Sequence, residues 1–169
     1  MEWEKEIAIM ALVKQELAVR DVSGLWPYHL PALKASAVDI AEAESHLGFK
    51  LAWDYESFLR HANGWRGFIM HADLFGTLDL CGGHKMKNAW VLMNSLKPTA
   101  LIQSGLEIGD LFPVAASENE GDLFLMVKPS HPAAGTVIWY AEEEIDRFPS
   151  FSEYFLAAVD YNREKISSL

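Results

Sequence analysis

The spacing of apolar residues predicts helices at both ends of the chain and short strands between them. Near the start, apolar residues recur three and four positions apart with charged residues between them, at Trp3, Ile7, Met10, Val13 and Leu17. This spacing predicts an amphipathic helix over residues 1–20 that docks on the rest of the molecule. The next segment contains Pro27 and Pro31, so we expect an ordered connector there and not a helix.

Two short helices are predicted next, joined by a tight link. Ser36 has an acidic residue three positions later, which is typical of a helix N-terminus, and Gly48 suits its left-handed C-terminus. Asp54 is expected to cap a second helix, Tyr55 to Ala62, which Asn63-Gly64 ends.

Short apolar runs then replace the helical spacing. Strands or their approaches are predicted at Phe68-Ile-Met, Leu74-Phe-Gly-Thr and Leu78-Asp-Leu, with a turn at His71 to Asp73. A further helix is predicted from Lys85 to Leu96, ended by Pro98, because proline biases the residue before it away from helix.

Three runs rich in β-branched and aromatic residues follow, separated by Asn/Gly and Pro/Gly breaks. They are Leu111-Phe-Pro-Val-Ala, Asp122-Leu-Phe-Leu-Met-Val and Thr136-Val-Ile-Trp-Tyr. This pattern predicts neighbouring strands of an antiparallel sheet. Ser150, with Glu153 at capping-box spacing, predicts a closing helix.

The same region carries most of the net charge. Nine acidic residues and one basic residue, Lys128, lie between Glu107 and Asp146, a local balance of −8 in a chain of net charge −10. An acidic chain argues against nucleic-acid binding, because phosphate contacts need Lys and Arg. The charge favours a basic partner, with a merely solvated acidic surface as the alternative.

Composition suits one compact domain over residues 1–169, half of them hydrophobic. No apolar run has the length of a membrane span, and the first residues lack the features of a signal peptide, so we expect a soluble cytoplasmic protein. A single cysteine, Cys81, excludes an internal disulfide.

A series of motifs resembles the SMI1/KNR4 family of the SUKH superfamily. The opening motif is carried by Val38-Asp-Ile-Ala-Glu-Ala-Glu-Ser-His-Leu-Gly48, Leu51, Asp54-Tyr55, Phe58-Leu59 and Asn63-Gly64. Later pieces are Leu111-Phe-Pro-Val-Ala, Gly121-Asp-Leu-Phe, Gly135-Thr-Val-Ile-Trp-Tyr and Phe148-Pro-Ser-Phe-Ser-Glu-Tyr-Phe. The resemblance covers about Ser36 to Ala158, in the family's order, although Ala52 stands where the family usually has proline.

The resemblance implies an α+β domain with a mainly antiparallel central sheet flanked by helices. Many bacterial members of this family are immunity proteins that neutralise a cognate toxin, often a nuclease, of polymorphic or contact-dependent systems. Fungal members act as signalling scaffolds. The family has no shared catalytic motif, so the resemblance implies no catalytic residues and no cofactor.

The most suggestive local chemistry is Cys81-Gly-Gly-His84, with His71 and Asp73 upstream. A Cys and His at this spacing can ligate zinc or form a nucleophile and base. A structural zinc site needs four such ligands, and the chain has no second cysteine, so no metal is expected. An ordinary glycine-containing loop is the favoured interpretation.

Acidic residues before one central strand and after the next form a candidate partner-binding set. Antiparallel pairing across the loop from Pro129 to Gly135 brings Asp122 and Glu142 to one edge of the sheet. The candidates are Glu118, Glu120, Asp122, Glu142, Glu143, Glu144 and Asp146, with Trp53, Trp65 and Trp139 as aromatic anchors. Burial in the core is the alternative for each Trp.

These observations favour a non-enzymatic immunity protein that occludes a basic toxin, such as a nuclease, with an acidic surface. A scaffold or regulatory interaction domain without a toxin partner is the second hypothesis. An enzyme using Cys81 and His84 is the third, and it requires a lowered thiol pKa.

Overall fold

A six-stranded antiparallel sheet, with the strands in chain order, forms the middle of the computed structural model, which describes Met1–Leu169. The strands are β1 (Trp65–Ile69), β2 (Ala72–Leu74), β3 (Leu111–Ser117), β4 (Leu123–Val127), β5 (Val137–Ala141) and β6 (Glu143–Phe148). Because every strand pairs only with its sequence neighbours, β1 and β6 are the two edges of the sheet.

Seven α-helices and one 3₁₀ turn surround the sheet. They are α1 (Trp3–Arg20), α2 (Ala37–Leu47), α3 (Trp53–Leu59), α4 (Thr77–Leu80), α5 (His84–Asn94), α6 (Pro98–Ser104), the turn η1 (Ile108–Asp110) and α7 (Phe151–Ser168). The predicted α+β class with a mainly antiparallel sheet is confirmed.

Helices cover both faces of the sheet, as two neighbours on β5 demonstrate. The Trp139 ring contacts Tyr161 of α7 on one face, with ring centroids 5.4 Å apart. The Tyr140 hydroxyl shares a 2.7 Å hydrogen bond with Ser104 of α6 on the other face. Every residue of β3 and β4 is buried between these layers, so the central strands form the core that the apolar runs predicted.

The N-terminal helix α1 packs on α7 and α3 through one aromatic residue. Trp3 is 2% exposed and meets Phe58 of α3 and Phe155 of α7 edge-on, with ring centroids 5.4 and 5.3 Å apart. Edge-to-face contacts of this kind add to the burial of apolar surface. The amphipathic stripe at the start of the chain therefore joins the main core.

Two helix starts follow the predicted capping chemistry. The Ser36 hydroxyl accepts a hydrogen bond from the backbone N–H of Asp39, whose carboxylate accepts the Ser36 N–H in return. Gly48 ends α2 in the left-handed conformation with φ +79°. The Ser150 hydroxyl caps α7 by accepting from the Glu153 N–H at 3.2 Å.

Two local predictions were wrong. Asp54 lies inside α3, which begins at Trp53, and its buried carboxylate accepts the backbone N–H of Ser152, so it ties α3 to α7. The run Leu78-Asp-Leu belongs to α4 and is not a strand. The predicted helix before Pro98 is confirmed, since α5 ends at Asn94. Pro98 itself begins α6, because a proline at the first helical position has no N–H to leave unpaired.

The edge strand β6 was missed altogether. Its residues alternate between exposed and half-buried positions, so the run from Glu143 to Arg147 looks like surface charge and not like a strand. Charged side chains are common on edge strands because they discourage pairing with other chains.

Lys14 is buried without a carboxylate partner and fastens α1 to β1. Its side chain is 3% exposed, and the Nζ donates a 2.5 Å hydrogen bond to the Gly67 carbonyl. The same ammonium lies 5.7 Å from the centre of the Tyr28 ring, in the connector. Burial lowers the pKa of Lys14 to about 8.

This burial predicts a stability that rises with pH. The folded chain releases the Lys14 proton near pH 8, whereas an unfolded lysine keeps it to about 10.5, so the unfolded state binds more protons between these values. Between pH 7.5 and 9.5 we expect a gain of about 2 kcal/mol in the free energy of unfolding from this group. In urea unfolding, the free energy of unfolding of wild type should therefore rise over this pH range. The Lys14→Met variant should lack this rise.

The exposed Lys5, on the same helix, supplies the control Lys5→Met, which should keep the wild-type pH profile. Parallel profiles for wild type and Lys14→Met would contradict a destabilising charge at position 14.

Candidate functional site

Two turns at one end of the sheet bring four exposed carboxylates together. β4 pairs with β5 so that Leu123 is opposite Tyr140, which sets the β3–β4 turn beside the β5–β6 turn. We call the resulting group the acidic edge, and its members are Glu118, Glu120, Glu142 and Glu143. Three of them line a depression of about 640 Å³ together with residues of α6.

Local hydrogen bonds shape the β3–β4 turn. The Ser117 N–H donates to the Asp122 carbonyl and the Asp122 N–H donates to the Ser117 hydroxyl, both at 2.9 Å. Gly121 has φ +80°, a left-handed conformation that glycine adopts without steric cost. The closed base of this turn directs the residues between Ser117 and Gly121 into solvent.

The β5–β6 turn is tighter and holds Glu142 in the left-handed region, at φ +69°. This conformation is uncommon for a residue other than glycine. The turn is followed by an irregularity in pairing, where Trp139 is opposite Asp146 but Tyr140 is opposite Glu144. Such bulges occur often at sheet edges and redirect side chains.

The contacts that the acidic edge makes within the chain are few and exposed. His71 Nδ1 lies 2.7 Å from Glu120 Oε1 without hydrogen-bond alignment, and the two form an ion pair only when the imidazole is protonated. His84 Nδ1 lies 4.0 Å from Glu118 Oε1, and Lys97 Nζ lies 3.5 Å from Glu142 Oε2. Exposed pairs of this type contribute little free energy, so a partner can replace them at small cost.

Asp122 and Trp65 are buried, and we remove them from the candidate surface. Asp122 is 8% exposed and accepts a 2.9 Å hydrogen bond from Trp139 Nε1. Burial raises its pKa, and the Trp139 hydrogen bond opposes that rise. Trp65 is 1% exposed, and its Nε1 donates to the His29 carbonyl.

Glu144 and Asp146 have partners inside the chain. Arg147 hydrogen-bonds Glu144 at 2.8 Å and is the main reason why the pKa of that carboxyl is lowered. Asp146 accepts the Tyr161 hydroxyl at 2.7 Å. Burial, reinforced by this bond, raises the pKa of Tyr161 to about 12. Glu144 also accepts a hydrogen bond from the Ser104 hydroxyl of α6. The two carboxylates therefore fasten β6 to α6 and α7 and are less available to a partner.

Trp53 is at the surface but lies away from the acidic edge. It is 71% exposed at the start of α3, so the alternative of core burial is wrong for this residue. Its neighbour Ala52 lies beside Gly135, just before β5, where an added Cβ atom would be 3.6 Å from the Ala52 Cβ. Glu142, in contrast, comes just after β5. The length of β5 separates the two ends by roughly 20 Å. Trp139 is 9% exposed and belongs to the core.

Two groups of residues at this surface were not predicted from the sequence. Lys97, just before α6, and Gln103 of α6 border the depression beside Glu142, although they are about 40 residues away in sequence. His71 reaches Glu120 because β2 pairs with β3, a pairing that the short β2 strand made hard to predict.

Cys81 and His84 belong to different surfaces. Cys81 follows α4 and faces a cavity beside His46, whereas His84 begins α5 and faces Glu118. Burial, with nearby Glu42 and Asp39, raises the pKa of the thiol, whereas a nucleophilic cysteine needs a lowered value. No three His, Cys, Asp or Glu side chains lie close enough together to hold a metal ion.

The chain belongs to the SMI1/KNR4 family (SUKH-1), whose model matches residues 34–157. The match covers the sheet and both turns of the acidic edge, and it leaves out α1 and the connector after it. The family includes immunity proteins. No curated protein matches the chain. None of its helices combines the length and apolar character needed to cross a membrane.

The environment of Cys81 predicts slow alkylation. Because a raised pKa leaves little thiolate at pH 7.5, we expect iodoacetamide to modify Cys81 several-fold more slowly than it modifies N-acetylcysteine. Mass spectrometry of timed samples measures the rate, and the urea-unfolded chain serves as the accessible control. Modification of the folded chain at or above the rate of N-acetylcysteine would restore the thiol-enzyme hypothesis.

Proposed function

We propose that this protein is a non-enzymatic immunity protein that binds a cognate toxin of a polymorphic or contact-dependent system and occludes its substrate cleft. Membership of a family that includes immunity proteins supports the class. The convergence of Glu118, Glu120, Glu142 and Glu143 on one exposed edge is the observation that carries the choice of binding surface.

The acidic edge suits a basic partner. Negative side chains grouped at one edge attract a positively charged protein and raise its association rate. A nuclease toxin is a natural candidate, because the cleft that holds phosphate must itself be basic. The contacts of Glu118 and Glu142 within the chain are long and solvent-exposed, so these carboxylates can re-pair with Arg or Lys of the toxin.

An inhibitor of this type needs no catalytic group. Glu142 and Glu143 are exposed to water, so nothing in their surroundings separates their roles into acid and base. The Cys81 thiol has a raised pKa, which opposes nucleophilic catalysis. We propose that the protein acts in the cytoplasm and uses no cofactor.

A scaffold domain without a toxin is the second candidate. The exposed Trp53 favours it, because this residue offers an aromatic contact at the end of the sheet opposite the acidic edge. A scaffold benefits from two separate contact surfaces, whereas an occluding inhibitor needs one. A toxin gene beside this gene would favour the first function, and a solitary gene the second.

The electrostatic proposal is tested with a basic toxin, taken from the neighbouring gene where that gene encodes one. We expect the triple variant Glu118→Lys, Glu120→Lys and Glu142→Lys to raise the dissociation constant at least about tenfold at low salt. The association rate of wild type should fall steeply as salt is added. Surface plasmon resonance measures both quantities.

The matched control reverses three exposed carboxylates elsewhere, Glu16→Lys, Glu42→Lys and Glu164→Lys, and makes the same change in net charge. It should bind within a few-fold of wild type. Equal loss in both triple variants would reduce the effect to net charge, and salt-independent association would remove the electrostatic proposal.

A further inference from the structure

A second cavity, of about 390 Å³, lies at the end of the sheet away from the acidic edge. It is bounded by the end of α2, the link between α4 and α5, the start of β3 and the residue after β4. Its apolar wall consists of Leu47, Phe49, Leu80, Met86, Trp90 and Phe112. A volume in this range, with a mainly apolar and aromatic wall, is typical of sites for small molecules.

The charged residues at this cavity are basic, whereas the chain as a whole is acidic. His46, Lys87 and Lys128 line it, and no Asp or Glu does, although the chain has a net charge of −10. Neither lysine forms an ion pair within the chain. An anionic group at this position therefore meets two ammonium groups that have no competing carboxylate.

Lys128 is held in position and keeps free donors. Its Nζ donates to the Gly109 carbonyl at 2.8 Å and lies 5.9 Å from the centre of the Phe49 ring. An ammonium has three donors, so two remain available for a ligand. The Phe49 ring in turn meets Phe112 edge-on, with centroids 4.9 Å apart, which places an aromatic wall directly beside the charge.

Gly82, the first glycine after Cys81, helps to form this cavity. Gly82 has φ +88°, and a Cβ atom there would approach His46 Nε2 to 3.0 Å. Only glycine lets the link between α4 and α5 pass so close to His46. The motif Cys81-Gly-Gly-His84 is therefore explained by a wall of the cavity and not by chemistry between the Cys and the His.

We propose that this cavity binds a small carboxylate with an aromatic body. The ring would lie among Phe49, Trp90 and Phe112, and the carboxylate would meet Lys87 and Lys128. This site is separate from the acidic edge and does not depend on the proposed immunity function.

The test uses 2-naphthoate and its neutral counterpart, 2-naphthamide, with the full chain. Titration calorimetry should give a dissociation constant below about 1 mM for 2-naphthoate, and the amide should bind at least about tenfold more weakly. Amide chemical shifts in ¹⁵N spectra should move at Phe49, Trp90 and Phe112. Lys87→Gln should weaken binding at least about fivefold, and adding Lys128→Gln should weaken it further.

The matched control, Lys5→Gln with Lys34→Gln, removes two exposed lysines that do not line the cavity and should leave the affinity unchanged. Because Lys87 is exposed, its single variant tests the site even if the Lys128 variant folds poorly. No binding at about 5 mM, equal binding of acid and amide, or shifts confined to other surfaces would overturn the proposal. The proposal would also be overturned if acetyl-Trp-Glu-Glu-amide bound and 2-naphthoate did not, because that result would indicate a contact for a protein segment.

Discussion

The register of β4 against β5 is the constraint on which the rest of the molecule depends. With Leu123 opposite Tyr140 and Phe124 opposite Trp139, one set of side chains faces α7 and the other faces α6. A shift of one residue would exchange the two sets, because strand side chains alternate between faces. The same register sets the two turns of the acidic edge side by side.

A buried hydrogen bond reinforces this register. Asp122, just before β4, accepts the indole N–H of Trp139 on β5, and the Trp139 ring stacks on Phe124 with centroids 5.2 Å apart. A slipped strand would leave this buried carboxylate without its partner, at a cost of about 1–3 kcal/mol or more. The residue that sequence analysis assigned to the binding surface thus supports that surface from beneath.

Sequence patterns predicted the elements whose residues decide their own local structure. Ser36 and Ser150 cap their helices through bonds within one turn, and the three central strands are apolar because both their faces are covered. β6 escaped prediction because an edge strand with one solvated side resembles a charged loop. Asp54 was misassigned because its true partner, the Ser152 N–H, is distant in sequence.

The candidate surface was also predictable only in part. Antiparallel pairing alone brought Glu118, Glu120, Glu142 and Glu143 together, since it needs only the order of the strands. The burial of Asp122 could not be predicted, because it depends on a hydrogen bond from Trp139 that forms only in the folded sheet. Core burial was the stated alternative for Trp65 and is confirmed, although its partner, the His29 carbonyl, is distant in sequence. The most direct test of the acidic edge as the binding surface is hydrogen exchange of the full chain with and without the toxin. Protection should appear at residues 117–122 and 141–143, and protection confined to other surfaces would contradict the account.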